Sequence, residues 1–173
     1  MKLSMIPYNR DGQVDGSHLE FLYRETCRHN LLRSVFPAGE VLTSDDFVSY
    51  FKRQGNHMHI IANTEAVVGY AWLSGVQHNH AWVHYCTFPI VWGRQTPVVA
   101  DACLKYWFGL ENGLGIPLFD VLLGRTPVDN VPAVRFLDRI GMTIVGIVPG
   151  VGLNICDGTK PDVIISFRKR SKE

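Results

Sequence analysis

Neither sign of charge dominates this chain: 17 Lys and Arg stand against 16 Asp and Glu. That balance removes the electrostatic reason to expect nucleic acid as a main partner. Long apolar runs are missing as well, so the pattern offers no bilayer-spanning helix and no membrane partner is expected. The opening residues reach the polar Asn9-Arg10-Asp11 before any signal-peptide core is built. Cysteine is sparse. Cys27, Cys86, Cys103 and Cys156 are widely separated and contain no C-x-x-C pair. Without a secretory signal they read as reduced, mostly buried thiols, and the expected location is cytoplasmic. The closing Arg168-Lys169-Arg170-Ser171-Lys172 run reads as a solvated terminus.

What is present is globular. Hydrophobic residues make up 46% of the chain and charged residues 19%, and a length of 173 residues suits one domain over 1–173 with a sizeable core. Lys2 to Tyr8 alternates as an opening strand, ended by the turn-rich Asn9-Arg10-Asp11-Gly12. Ser17-His18-Leu19-Glu20 matches a capping box for a helix running to about Leu31 or Leu32, and a second helix starts at Ser44 with Phe47, Tyr50 and Phe51 on its apolar face.

From His57 the period changes. His57–Asn63, Ala66–Val76 and His80–Val91 are rich in β-branched and aromatic residues, and short links predict an antiparallel meander. Thr96-Pro97 supplies a hydroxyl cap and a first-turn proline for an amphipathic helix ending near Glu111-Asn112-Gly113. Leu118–Leu123 is an apolar run of the kind buried on both faces. Asp129-Asn130-Val131-Pro132 opens a last helix that stops at Gly141, and Thr143–Val148 and Val163–Phe167 close the chain as strands. The predicted order is β-α-α-β-β-β-α-β-α-β-β. It implies an α/β (α+β) fold with a mixed, mostly antiparallel sheet of about seven strands and about four helices on both faces.

This order, together with Asn130-Val131-Pro132-Ala133-Val134-Arg135-Phe136-Leu137-Asp138-Arg139-Ile140-Gly141-Met142, resembles the GCN5-related N-acetyltransferase (GNAT) superfamily. Members often carry Asn, two residues, Ala, an apolar pair, a charged stretch and then Gly-Phe. Asn130, Ala133, Phe136 and Gly141 fit, with Met142 in place of Phe. The likeness implies acyl transfer from acetyl-CoA, or a related acyl-CoA, to an amine of a small molecule or protein. It implies pantetheine held by backbone of Thr87, Phe88 and Pro89, and pyrophosphate by Trp92, Gly93, Arg94, Gln95, Thr96 and Val98. Asn130 and Ala133 would stand near the cofactor's other end.

The superfamily's pyrophosphate loop places backbone amides at a helix N-terminus made approachable by glycine. Here Gln95 and Pro97 occupy the glycine positions, and Pro97 has no N–H. Gly93, the Thr96 hydroxyl and the Arg94 cation are candidate compensations. The superfamily's frequent Tyr acid is replaced by Leu137, and its carboxylate base has no counterpart within His80–Val91. The candidate base in that strand is His84, whose bland alternative is an imidazole packed on a sheet face. These departures keep open a second reading, a catalytically inactive GNAT-fold binding or structural module. No metal is expected. His57, His59, His78, His80 and His84 are unevenly spaced, Glu65 lies far from the first pair, and surface or turn positions explain them. Cys86 and Cys103 read as buried rather than nucleophilic, and Gly124-Arg125-Thr126-Pro127 as a turn or the edge of an acceptor cleft.

Overall fold

The computed structural model describes residues 2–8 and 16–171; the Asn9–Gly12 turn and Lys172 lie outside them. Seven strands form one sheet: β1 (Ser4–Pro7), β2 (His57–Ala62), β3 (Val67–Gln77), β4 (His80–Thr87), β5 (Val121–Pro127), β6 (Thr143–Val148) and β7 (Val163–Lys169). Their spatial order is β1-β2-β3-β4-β5-β7-β6, and every neighbouring pair is antiparallel except β4 and β5. The parallel pair follows from the intervening helix α4 (Thr96–Phe108), which carries the chain back along the sheet before β5 begins.

Alternation along β3 divides the interior into two layers. Ala71 and Leu73 point into a cluster with Val99, Cys103, Leu104 and Trp107 of α4 and Leu137 of α5 (Val131–Arg139). Tyr70 and Trp72 point to the opposite cluster, with Leu19 and Leu22 of α1 (Gly16–Arg28), Phe36 after α2 (Leu32–Val35), and Phe47 and Phe51 of α3 (Ser44–Lys52). The second layer is built of edge-on rings, Phe47 meeting Phe51 at 4.9 Å and Tyr70 at 5.6 Å between centroids. Fully buried side chains of this size stabilise by roughly 1.5–3 kcal/mol each, so the two clusters hold the helices to the sheet.

Several boundaries differ from the sequence reading, each for a physical reason. α1 already includes Gly16, so Ser17 stands inside its first turn rather than capping it. It ends at Arg28, earlier than Leu31, because Asn30 adopts φ 56°; the short α2 that follows was not expected. The capping box found in the structure opens α3: the Asp46 amide donates to Thr43 Oγ1 at 3.1 Å, and the Thr43 amide donates to the Asp46 carboxylate at 2.9 Å. β4 stops at Thr87 rather than Val91, since Pro89 cannot donate to a ladder and opens a single turn of 3-10 helix over Pro89–Val91. Thr96 is not the cap of α4. Gln95 holds that position, and the Thr96 hydroxyl donates back to the Val91 carbonyl at 2.9 Å. α4 ends at Phe108, three residues short of Glu111.

The largest shift is in β5. The sequence predicts Leu118–Leu123 as the strand and Gly124–Pro127 as a turn or the edge of an acceptor cleft, yet Gly124–Pro127 is strand, paired residue by residue with Val163–Ser166 of β7. Glycine and proline are local turn signals; here a partner some 40 residues downstream overrides them. α5 matches its signals closely. Asn130 Oδ1 accepts the Ala133 amide at 3.3 Å, Pro132 sits in the first turn, and Gly141 takes φ 67° just past the end.

Candidate active site

β4 and β5 pair only at His80–Val121, Ala81–Leu122 and Trp82–Leu123. Beyond that point Val83–Thr87 and Gly124–Pro127 continue as strands without facing each other, so the sheet opens into a wedge. A cleft of about 690 Å³ occupies it. Its wall takes Ser34, Val35 and Trp72 from the α1–α3 side and Thr96, Ala100 and Phe136 from the α4–α5 side, so the gap opens toward both faces of the sheet.

The charged side chains on this wall are Arg125, Arg135 and Arg139; no carboxylate lines it among the described residues. None of the three guanidinium groups has an ion-pair partner among the described residues, and Arg125 lies over the Trp82 ring at 6.0 Å. Arg135 and Arg139 are one helical turn apart on α5 and so share a face. The cleft is therefore cationic, and its chemistry favours an anionic occupant.

His84 lines the wedge on β4. Its ring lies flat on Trp72, centroids 4.5 Å apart at 10°, and its Nε2 shares a 2.8 Å hydrogen bond with the Ser74 hydroxyl. Burial, then the neighbouring Arg125 charge, pushes the imidazole down to about 4. The ring is thus neutral at pH 7 and available as a proton acceptor, though a weak one. Tyr85, the next residue, also lines the cleft, and its buried hydroxyl has no hydrogen-bond partner among the described residues.

At the cleft mouth the chain turns through 92–95 into α4. Gly93 takes φ 85°, and the first turn of α4 offers the amides of Thr96 and Val98 but none from Pro97. Trp92 is half exposed, and its indole Nε1–H donates to the Thr87 carbonyl at 2.8 Å.

Of the residues singled out from the sequence, His84, Thr87, Trp92, Gly93, Thr96, Asn130 and Ala133 line this one cleft. Arg94, Gln95 and Val98 belong to the adjoining turn and helix start but are not on the wall. Phe88 is packed in the α1–α3 layer with its amide bonded to the Val68 carbonyl at 2.9 Å, and Pro89 begins the 3-10 turn. Leu137 is buried in the core and also lines the cleft. Sequence reasoning missed Arg135 and Arg139, although their spacing on the Asn130 helix was a signal. It left Arg125 undecided because the segment read as a turn.

The other histidines do not converge. His59 is buried against Tyr106 and Trp107, a core position rather than the expected surface one. Among the described residues no three His, Cys, Asp or Glu side chains gather as metal ligands would, and no helix is long and apolar enough to cross a membrane.

The sequence matches no protein-family model and no curated protein sequence. Solved structures do match over nearly the whole chain. The spermidine N-acetyltransferase of Vibrio cholerae, solved with CoA and spermine, superposes with a TM-score of 0.74 at 16% identity, covering 98% of this chain and 96% of its own. A Salmonella typhimurium acetyltransferase that modifies the N-terminal serine of a 50S ribosomal subunit protein gives 0.74 at 13% identity, over 98% and 94%. A probable GNAT-family acetyltransferase of Chromobacterium violaceum gives 0.74 at 14%, over 96% and 82%. With its wedge between two parallel strands, its capped Asn130 helix and these neighbours, the chain has the fold of the GNAT acetyltransferases.

Proposed function

We propose that the protein transfers an acetyl or related acyl group from CoA to an amine. The observation that carries this reading is the wedge between β4 and β5 at the N-terminus of α4, whose wall includes Arg135 and Arg139, neither with an ion-pair partner among the described residues. Structural neighbours solved with CoA or acetyl-CoA support it.

The residues suit a phosphate-bearing thioester. Arg135 and Arg139 present cations on the α4–α5 side of the cleft that Thr96, at the start of α4, also lines. The β5-facing edge of Val83–Thr87, which pairs with β3 on its other side, borders the gap where a pantetheine arm runs. Pro97 weakens the helix-terminal anion site, and Asn130 serves α5 as its cap. Acetyl-CoA supplies an activated carbonyl; the amine nitrogen forms a bond to that carbon, the carbon–sulfur bond breaks, and the thiolate leaves. One proton is lost from the nitrogen, and one is gained by sulfur.

His84 takes the nitrogen's proton, with Ser74 fixing its ring through Nε2. Leu137 lines the cleft but has no proton to donate, so the superfamily's tyrosine acid is not replaced at that position, and water protonates the leaving thiolate. Most of the rate then comes from holding amine and thioester together. Proximity of this kind does not need a strong base.

Calorimetric titration of CoA and acetyl-CoA tests the reading: saturable one-to-one binding is expected, and absence of binding at millimolar ligand would refute it. A second reading, a GNAT-fold module that does not catalyse, draws on Trp92 covering the Thr87 carbonyl and on Leu137. CoA binding with no acyl product from any amine would favour it.

A further inference from the structure

The wedge has two mouths, and side-chain parity separates them. Val83 and Tyr85 of β4 pack with the α4–α5 layer, together with Thr96, Ala133 and the two α5 arginines that line the same mouth. His84 points the other way, onto Trp72 in the α1–α3 layer. In the parallel β4–β5 pair Trp82 is level with Leu123, so His84 and Arg125 follow on the same face, one on each side of the opening. The second mouth is therefore built from Arg125, His84, Trp72, Leu31, Ser34 and Val35.

That mouth carries one cation, a flat aromatic wall, aliphatic groups and a hydroxyl. Among the described residues it carries no carboxylate. A polycationic amine would meet the Arg125 guanidinium with no carboxylate among the described lining residues to neutralise its own charges, and like charges in a partly desolvated cleft repel. Arg125 is exposed, has no ion-pair partner among the described residues, and is steadied by the Trp82 ring beneath it. It is a planar donor fork left open to the cleft, the arrangement that receives a carboxylate in two-point contact.

Resting on the acyltransferase reading above, we infer that the acceptor is a small amine that also bears a carboxylate, held by Arg125 with an apolar or aromatic body against the His84–Trp72 wall. The chemistry of His84 agrees with this. A neutral imidazole held down at about 4 is a poor base for a strongly basic alkyl amine. An amino group next to a carboxylate is less basic than a simple alkyl amine and so is the better match. Arg125 is a specificity-determining residue in this account, and CoA binding does not depend on it.

The test pairs phenylalanine with phenethylamine, which differ only in the carboxylate, and adds spermidine as a polycation. Acetyl transfer is followed by mass spectrometry, and binding to the CoA-loaded protein by tryptophan fluorescence. Phenylalanine should exceed phenethylamine by about ten- to a hundredfold in kcat/KM and in affinity, the scale of one charge-assisted contact, and spermidine should be the poorest. Arg125→Ala should bring the pair to within about twofold while CoA affinity stays unchanged, and Arg125→Lys should restore part of the preference. Equal or better use of phenethylamine or spermidine by a CoA-binding, active protein overturns the inference and leaves the acyltransferase reading standing. Carboxylate-selective binding, lost in Arg125→Ala, without any acyl product keeps the anionic subsite and removes the enzymatic reading. No selectivity in binding and no product removes both.

Discussion

The Trp92 indole donates to the carbonyl of Thr87 at 2.8 Å, across the mouth through which the proposed cofactor enters. The last carbonyl of β4 is thereby occupied by the protein itself. A pantetheine amide seeking that carbonyl must displace this indole, and Trp92 is 50% exposed.

Trp92→Phe keeps a ring and removes the competing donor. A net hydrogen bond is worth roughly 0.5–1.5 kcal/mol, so this variant should bind CoA about two- to tenfold more tightly. Binding of the nucleotide half of CoA, which lacks pantetheine, should not change. Calorimetry with the two ligands separates the outcomes, and equal tightening of both would place the effect of Trp92 at the phosphates instead.

Much of this arrangement was legible in the residues. Period-2 runs gave the β2–β4 meander, and Asn130, Pro132 and Gly141 marked both ends of α5 because caps act locally. β5 was misplaced because Gly124 and Pro127 are strand residues only by virtue of β7, a partner that no local window contains. The same non-local pairing hid Arg125, which becomes a wall of the cleft only once β5 leaves β4 at Gly124. Thr96 misled for a different reason: Gln95 holds the cap position, and the Thr96 hydroxyl donates to the Val91 carbonyl instead of accepting a helix amide.

Arg135 and Arg139 stand on the cleft wall, whereas Arg94 belongs to the adjoining turn. Arg135→Ala and Arg139→Ala should each weaken CoA binding by about tenfold or more, and Arg94→Ala by less. Raising the salt concentration should weaken the wild type more than either wall variant, because screened phosphate contacts are what those variants lack. A loss confined to Arg94→Ala would move the phosphate site out to the turn.

Gly69 tests the backbone next to the site. It has φ 155° beside the irregularity in the β2–β3 register, and a Cβ there would stand 2.9 Å from Thr87 Cα and closer still to the Cys86 carbonyl. Both obstacles are backbone, so neither can swing aside. Gly69→Ala should cost about 2–4 kcal/mol in denaturant unfolding, through overpacking and strain together. It should also disturb β4 where it borders the cleft, so CoA affinity should fall with stability. Unchanged stability would mean that β3 and β4 separate more easily than their pairing implies.

Thiol chemistry offers an independent check on burial. Burial pushes both Cys86 and Cys103 up to about 12, whereas Cys156 is exposed. A mild disulfide reagent at pH 8 should label Cys156 quickly and leave Cys86 and Cys103 unlabelled until the protein unfolds. Rapid labelling of Cys86 in the native state would mean that the wedge opens much wider in solution.

His59 should make the fold sensitive to mild acid. Its ring is buried against Tyr106 and Trp107, its Nδ1 has no partner among the described residues, and burial holds it down to about 4. In the unfolded chain an ordinary histidine titrates near 6.5. Between those values the unfolded state binds a proton that the native state refuses, so stability falls as pH drops from about 6.5 to about 4. Below about 4 both states are protonated and this contribution to the slope ends. The full effect of one such shift is roughly 3 kcal/mol, and His84 adds a second loss over the same window from its own depressed value. His59→Phe removes the orphaned nitrogen while keeping a flat ring against Tyr106 and Trp107. Urea unfolding between pH 7.5 and 4 should therefore lose about half of its histidine-dependent slope in that variant, with CoA binding at pH 7 unaffected. If the slope were unchanged, protons would enter the native state at His59 as readily as in the unfolded chain, and its pocket would have to be wet.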